Sequence, residues 1–438
     1  MEQFPQFKPE MKKTHTLLMP QMCTYHFRMI RNLLVAQGYK VELLETTGPQ
    51  IAQEGLKYVH NDTCYPALLV IGQMIDALKS GKYDLDHTAL IITQTGGGCR
   101  ASNYIYLLRH ALKSAGFGQV PVASINFSGL EKGSGFSMTP KMMLQLITAV
   151  YYGDLLMLLR NQTAPYEKTS GQSDSLCDKW VEVLSGQIAG MHGLFPGGMK
   201  QNFERMAAEF AAVPVDRVPR VKVGVVGEIY VKYAPLGNND LQKFLESEGC
   251  EVCMPGLLGF LLYCVCNGWI DVELYGGSRG KAMGMRALTD ILCRQEEKMH
   301  DIARKHGFWA PSSFLHTKAL GEKIIGQGSK MGEGWLLPAE MMELCDSGFL
   351  NIVCAQPFGC LPNHIVGKGM VSKIRKIYPD SNIVAVDYDP GATKVNQENR
   401  IKLMLAVARE KLEQQTAAPA LQPAAAQERE PAAASSST

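Results

Sequence analysis

No stretch of the chain is rich in lysine and arginine, and 44 Lys+Arg against 42 Asp+Glu leave a formal net charge of +2. A nucleic-acid binder relying on a broad basic face needs a clustered positive surplus, so the composition argues against that class. No phosphate-cradling loop ending in Lys-Ser/Thr occurs. Gly224-Val225-Val226-Gly227-Glu228 lacks the three-glycine spacing of a dinucleotide fingerprint. Nucleotide hydrolysis by this chain is therefore not expected. An apolar leader is also missing: residues 1–14 are polar and charged, which predicts no secretory signal and a cytoplasmic protein. Residues 252–270 carry no charge, but Pro255, Gly256, Gly259, Asn267 and Gly268 interrupt them. They read as a buried strand-and-turn region, and no membrane association is expected. No internal repeat is visible.

What is present is cysteine. The twelve are Cys23, Cys64, Cys99, Cys177, Cys250, Cys253, Cys264, Cys266, Cys293, Cys345, Cys354 and Cys360. They are too sparse for a disulfide scaffold in 438 residues, and reduced thiols are expected. Free cysteine is a common core residue, so packing accounts for some of them. Cys250-Glu251-Val252-Cys253 has metal-ligand spacing, but no second pair lies at zinc-finger distance, which favours core filling there.

Short apolar runs alternate with helical patterns. Strands are expected at 16–19, 41–45, 89–95 and 120–126, and helices at 24–37, 66–80, 103–115 and 140–160. The second half continues with strands at 221–226, 251–254, 351–355 and 382–387. Its helices are expected at 238–248, 281–306, 337–347, 362–377 and 393–413. This is the grammar of parallel α/β layers. The expected fold is α/β, with two Rossmann-like parallel-sheet domains at 12–165 and 219–415 and a cofactor site at their interface. Residues 166–218 form a helical linker region, and the Ala/Pro-rich stretch 416–438 is a disordered tail.

In parallel α/β sheets, ligands bind beyond the carboxyl ends of the strands, where helix N-termini point. Cys64, in Asn61-Asp62-Thr63-Cys64-Tyr65-Pro66, precedes a proline-opened helix. Cys99 follows Gln94-Thr95-Gly96-Gly97-Gly98. Cys354 closes a strand, and Cys360 sits in Gln356-Pro357-Phe358-Gly359-Cys360-Leu361-Pro362-Asn363-His364. Unpaired backbone donors and the helix dipole lower the pKa of a thiol placed there and stabilise an anionic metal centre. Glycines let the backbone approach a bulky inorganic group. Cys64 and Cys99 lie in the first half and Cys360 in the second, so they meet only across the domain interface, as an open site unlike a closed zinc knuckle. Each cysteine alone fits a packing role; the joint placement at three strand-to-helix junctions points to a cofactor. Cys264 and Cys266 share a face if their segment is extended, and one could then reach the site. Glu333, in Gly332-Glu333-Gly334-Trp335, and His364 are the candidate catalytic groups. A glycine turn and an exposed histidine are the plainer readings of these two.

The three cysteine motifs, with Gly332-Glu333-Gly334-Trp335 and Val384-Ala385-Val386-Asp387-Tyr388-Asp389-Pro390-Gly391-Ala392, resemble the non-ATPase part of the large 2-hydroxyacyl-CoA dehydratase activase proteins. That part is related to the dehydratase component D subunits and the double-cubane cluster proteins. The resemblance runs from about Lys12 to Ala408. It implies two Rossmann-like domains holding an oxygen-sensitive iron–sulfur cluster, 4Fe-4S or double-cubane, on Cys64, Cys99 and Cys360. Cys264 and Cys354 also match family positions. Cys23 departs from the family pattern, and the roles of Cys23 and Cys266 stay open. The family's large members carry an acetate-and-sugar-kinase-like ATPase segment ahead of this region, and this sequence begins without it. The resemblance therefore implies a separate ATP-dependent activase partner, a homo- or heterodimer, and an acyl-CoA or other small-molecule substrate. A non-enzymatic electron-transfer subunit is the alternative.

Overall fold

The computed structural model describes residues 4–94, 97–126, 136 and 138–417. The tail beyond 417 and the Thr95-Gly96 step of the Cys99 motif lie outside the described residues. Along the first half run β1 (Thr16–Pro20), α1 (Thr24–Ala36), β2 (Lys40–Leu44), α2 (Pro49–Leu56), α3 (Tyr65–Lys79), β3 (Thr88–Gln94), α4 (Tyr104–Ser114) and β4 (Val122–Asn126). Three helices follow: α5 (Pro140–Thr163), α6 (Gln172–Ala189) and α7 (Pro196–Ala211). The second half holds β5 (Lys222–Gly227), α8 (Ile229–Tyr233), α9 (Pro235–Asn238), α10 (Leu241–Ser247), β6 (Glu251–Cys253), α11 (Leu257–Tyr275) and α12 (Arg279–Lys305). It ends with α13 (Phe314–Glu322), α14 (Leu336–Asp346), β7 (Asn351–Pro357), α15 (Val371–Ile377), β8 (Asn382–Tyr388) and α16 (Lys394–Ala417).

The protein is α/β, with two four-stranded parallel sheets in the orders β2-β1-β3-β4 and β6-β5-β7-β8. The two orders are the same once each half is numbered from its own first strand, so the lobes share one topology. Burial on both faces explains the continuous apolar character of the strands: β5 (KVGVVG) is buried from Val223 to Gly227, and β7 from Ile352 to Pro357. The register sets Val225 beside Val353 and Val353 beside Val384.

The lobes are joined by packing. One apolar cluster contains Leu18, Ile71 and Ile92 of the first lobe together with Val225, Val353 and Val386 of the second. Helix α3, opened by Pro66 and buried at 13 positions from Tyr65 to Leu78, lies in that cluster. A second cluster joins α5, α6, α7, α11 and α12 around Tyr152, Trp180, Phe203, Trp269 and Cys293. The stretch expected as a linker thus contributes two helices to a packed helical layer. By length and composition, the helices at Pro140–Tyr166 and Leu257–Tyr275 are apolar enough to cross a membrane, and the first is mostly buried in this layer.

Three expectations change. Residues 252–270 are not strand and turn: β6 ends at Cys253, and after Pro255-Gly256 the chain enters α11. Gly268 is tolerated inside this helix because it makes room for Met285 of α12; a Cβ there would lie 2.9 Å from the Met285 methyl. The helix expected from 238 starts at Leu241, since Asn239 and Asp240 adopt left-handed conformations (φ 57° and 60°) that end α9 and reorient the chain. The helix expected over 362–377 breaks into a π-turn (Asn363–Gly367), a short 3₁₀ turn (Lys368–Met370) and α15.

Candidate cofactor site

In each lobe the strand order reverses beside the first strand, and the crevice opens at the carboxyl ends of the central pair. The two crevices share one cavity of about 600 Å³. Pro20 ends β1 and Met22 follows it, and Gly97 to Ala101 follow β3. Glu228 follows β5, and Gly359 to Pro362 follow β7. Cys64 enters from the N-terminal end of α3, and Glu333 from the turn before α14. Cys64, Cys99 and Cys360 therefore line the same cavity, as their joint placement in the sequence suggested.

The loops that carry them are tied together. Arg100 beside Cys99 donates through Nη1 to the carbonyls of Asp62 and Thr63 beside Cys64. The Tyr65 amide donates to the Phe358 carbonyl at 3.0 Å, fixing the Cys64 turn to the Cys360 loop. The Gly332 amide donates to Gly97 O at 3.1 Å, bringing the Glu333 turn against the Cys99 loop. Glycine permits this closeness. At Gly359 (φ +75°) a Cβ would lie 3.3 Å from Cys64 Cα, and Gly98 (φ +70°) and Gly332 (φ +60°) turn in the left-handed region.

The thiol electrostatics reverse the expectation. Burial pushes Cys64 up to about 12, with the Glu228 carboxylate next in effect. It raises Cys99 and Cys360 as well, and Glu333 and Glu228 add to both. Backbone amides of Ala67, Ala101 and Asn363 favour the three thiolates, which is the helix-terminus effect anticipated from sequence. Desolvation beside two carboxylates outweighs it. These are not activated nucleophiles. Burial and the neighbouring Glu333 also push Glu228 up to about 8, and burial raises Glu333. The Tyr104 hydroxyl lies 3.1 Å from Cys64 Sγ.

The remaining candidates divide. Glu333 is on the cavity wall, where it also accepts a hydrogen bond from the Ile229 amide at 2.9 Å. Cys264 stands one helical turn after Phe260, which lines the cavity, but is itself exposed and not part of the wall. Its thiol is nonetheless pushed up to about 12 by surrounding protein and by Glu333. Because the segment is helical, Cys266 does not share its face and packs into the helical core. Cys354 is a correction. β7 continues to Pro357, so Cys354 lies within the strand, fully buried among Val226, Leu320 and Ile374, and off the cavity wall. His364 is a second one: its Nδ1 lies 2.8 Å from the Cys360 carbonyl and its Nε2 3.9 Å from Asp387, also off the wall. Its place is in holding the Cys360 loop. Cys23 is buried beside Met157 and Tyr233.

Sequence reasoning missed Glu228 and Tyr104. The signal for Glu228 was an acid directly after a Val-rich strand; Tyr104 offered none, since its reach to Cys64 spans 40 residues.

Among the described residues, no three His, Cys, Asp or Glu side chains are gathered closely enough to hold a single metal ion. A multi-iron cluster spans a larger volume than one ion, and three thiols around one cavity suit it better than mononuclear coordination. Beneath Cys360, Asn363 is fully buried, and its Nδ2 has no partner among the described residues. No protein-family model matches the chain, and no curated protein matches it.

Proposed function

We propose that this chain holds an iron–sulfur cluster on Cys64, Cys99 and Cys360 and uses it as a low-potential reductase or dehydratase-like enzyme. The observation behind this reading is that three thiols from three separate turns, drawn from both lobes, line one cavity. The cluster, when bound, supplies one-electron chemistry. The chain itself does the rest. Its three turns hold the thiolates, with amides of Ala67, Ala101 and Asn363 directed at the sulfurs. The Met and Ile walls restrict water. Glu228 and Glu333 stand as proton donors or acceptors beside the reacting volume.

Three wall thiols suit a single cubane with an open position, rather than the larger ligand set of a bridged pair. The electrons come from a separate ATP-dependent activase in this proposal, because the sequence offers no phosphate-binding loop. A pure electron carrier has no use for an apolar chamber of about 600 Å³ next to its cofactor, and this favours the enzyme reading.

The test is iron and acid-labile sulfide content after anaerobic reconstitution. Cys64→Ser, Cys99→Ser and Cys360→Ser each lose or convert the cluster, while Cys177→Ser and Cys293→Ser retain it. Equal iron in all five variants, or none in the parent, overturns the assignment.

A further inference from the structure

A second cavity, of about 90 Å³, lies between α5, the β6–α11 connection, α12, α13 and α14, and shares no wall residue with the cofactor cavity. Its wall carries the acids Asp154, Glu251, Glu296, Glu340 and Glu343 together with His300, and each of the six is more than nine-tenths buried. Two of the acids meet a basic group: Asp154 lies 2.7 Å from His26 Nε2, and Glu340 lies 3.2 Å from Lys232 Nζ. Glu251 accepts from the Tyr166 hydroxyl, and Glu343 from the Ser312 amide and the Ser347 hydroxyl. Glu296 accepts from the Phe314 amide at 2.9 Å through Oε2. Glu296 and His300 stand four residues apart on α12, so both face the cavity from one side of the helix. His300 Nδ1 has no partner among the described residues. Burial and Arg304 lower His300 to about 4, so its imidazole is neutral and offers a lone pair. Burial raises Glu296 to about 8, with Asp154, Glu297 and Glu343 adding to it against the Phe314 amide. One donor-rich cation between the two side chains relieves both.

We infer that this second cavity binds a small organic cation, a short primary ammonium, hydrogen-bonded to Glu296 and His300. Among the described residues no three His, Cys, Asp or Glu side chains gather closely enough for a metal ion, which needs oxygen ligands at about 2.0–2.6 Å. The N–H donors of an ammonium reach acceptors at about 2.7–3.2 Å, and its alkyl body fills the rest of the space. The volume equals that of about three waters, which suits an ion of about three heavy atoms. Trp309, Phe314 and Phe349 contribute aromatic rings to the wall, and such rings attract a desolvated cation. Half-buried Pro255 and Gly256 on one side and Pro311 and Ser312 on the other are wall members that reach solvent. The ammonium draws the proton off Glu296, because its charge then favours the carboxylate. The site stands apart from the cofactor cavity and does not rest on the cluster reading.

The experiment titrates the full-length chain by calorimetry at pH 7 and constant ionic strength with ethylammonium, acetamide, acetate and potassium. The expected result is saturable ethylammonium binding, at least tenfold tighter than that of acetamide or potassium. Binding releases protons, so its heat changes with the ionisation heat of the buffer. Glu296→Gln and His300→Leu each weaken ethylammonium at least fivefold, with circular dichroism confirming that the variants are folded. Should neither variant fold, proton release by the parent carries the test. No saturable heat with ethylammonium overturns the inference and leaves a water-filled cavity. Potassium binding as tightly as ethylammonium overturns it in favour of unspecific charge attraction, and acetamide doing so removes the need for charge. Acetate as the tightest ligand contradicts it outright. So do binding without proton release and an unchanged affinity in both folded variants.

Discussion

Gly359 is where a single residue governs the site. Its φ of +75° turns the chain after β7 so that Cys360 faces the cavity, and its missing Cβ leaves room for Cys64 Cα. Gly359→Ala combines left-handed strain with a 3.3 Å contact to backbone, so a loss of about 1–2 kcal/mol is expected in denaturant unfolding. Unchanged stability contradicts the geometry. Tyr104→Phe removes the hydroxyl 3.1 Å from Cys64 Sγ, and about 1 kcal/mol is the expected cost. The same variant tests whether that hydroxyl tunes a bound cluster. If it does, the reduction potential moves while the iron content stays the same.

At the scale of elements, α11 shows how a helix is pinned. Asp154 of α5 accepts from the Leu257 and Leu258 amides at 2.8 Å each, capping α11, and lies 2.7 Å from His26 Nε2. Gly256 and Gly153 make the room: a Cβ at either would lie within 2.4 Å of the Asp154 or the His26 side chain. Burial opposes the charge on His26, but Cys23 and Asp154 overcome it and raise the group to about 10. Since the folded value exceeds the unfolded one of about 6.5, this stabilisation is complete below pH 6.5 and is lost as pH rises through about 10. His26→Gln is accordingly expected to flatten the decline in stability across that window, measured by urea unfolding at stepped pH. A parallel decline in parent and variant counts against the buried charge. Asp154→Ala is expected to cost about 3–5 kcal/mol, because it leaves the imidazolium buried without its partner.

The same element marks the limit of sequence reading. The eight strands among the described residues are legible, most plainly β5 and β7, whose burial leaves apolar runs in the sequence. α11 is not legible as a helix: Gly259 and Gly268 argue against it locally, and only packing against Met285 reveals why Gly268 is tolerated. Likewise the turn after Pro362 looks like a helix start, but the chain passes through a π-turn there, closed tightly enough that a Cβ at Gly367 would lie 2.9 Å from Asn363 Oδ1.

For the whole molecule, two lobes of one topology place their switch points on a common cavity, and a shared apolar cluster holds them there. That cluster includes α3 and both sheets, so the lobes are expected to unfold in one transition. Far-ultraviolet circular dichroism and tryptophan fluorescence then coincide during denaturation, and two separated transitions contradict a common core. The convergence of Cys64, Cys99 and Cys360 was legible because strand-to-helix junctions occupy a fixed end of a parallel sheet. The thiol environment was not. Glu228 and Glu333 belong to the second lobe, and with burial their effect on Cys64 and Cys99 of the first outweighs what the helix termini alone imply. The account rests on the three thiols sharing one inorganic centre. Anomalous diffraction at the iron edge from anaerobically grown crystals tests this most directly: the account predicts one cluster-sized peak bonded to the Sγ atoms of Cys64, Cys99 and Cys360, and iron at any other cysteine, or none at these three after reconstitution, contradicts it.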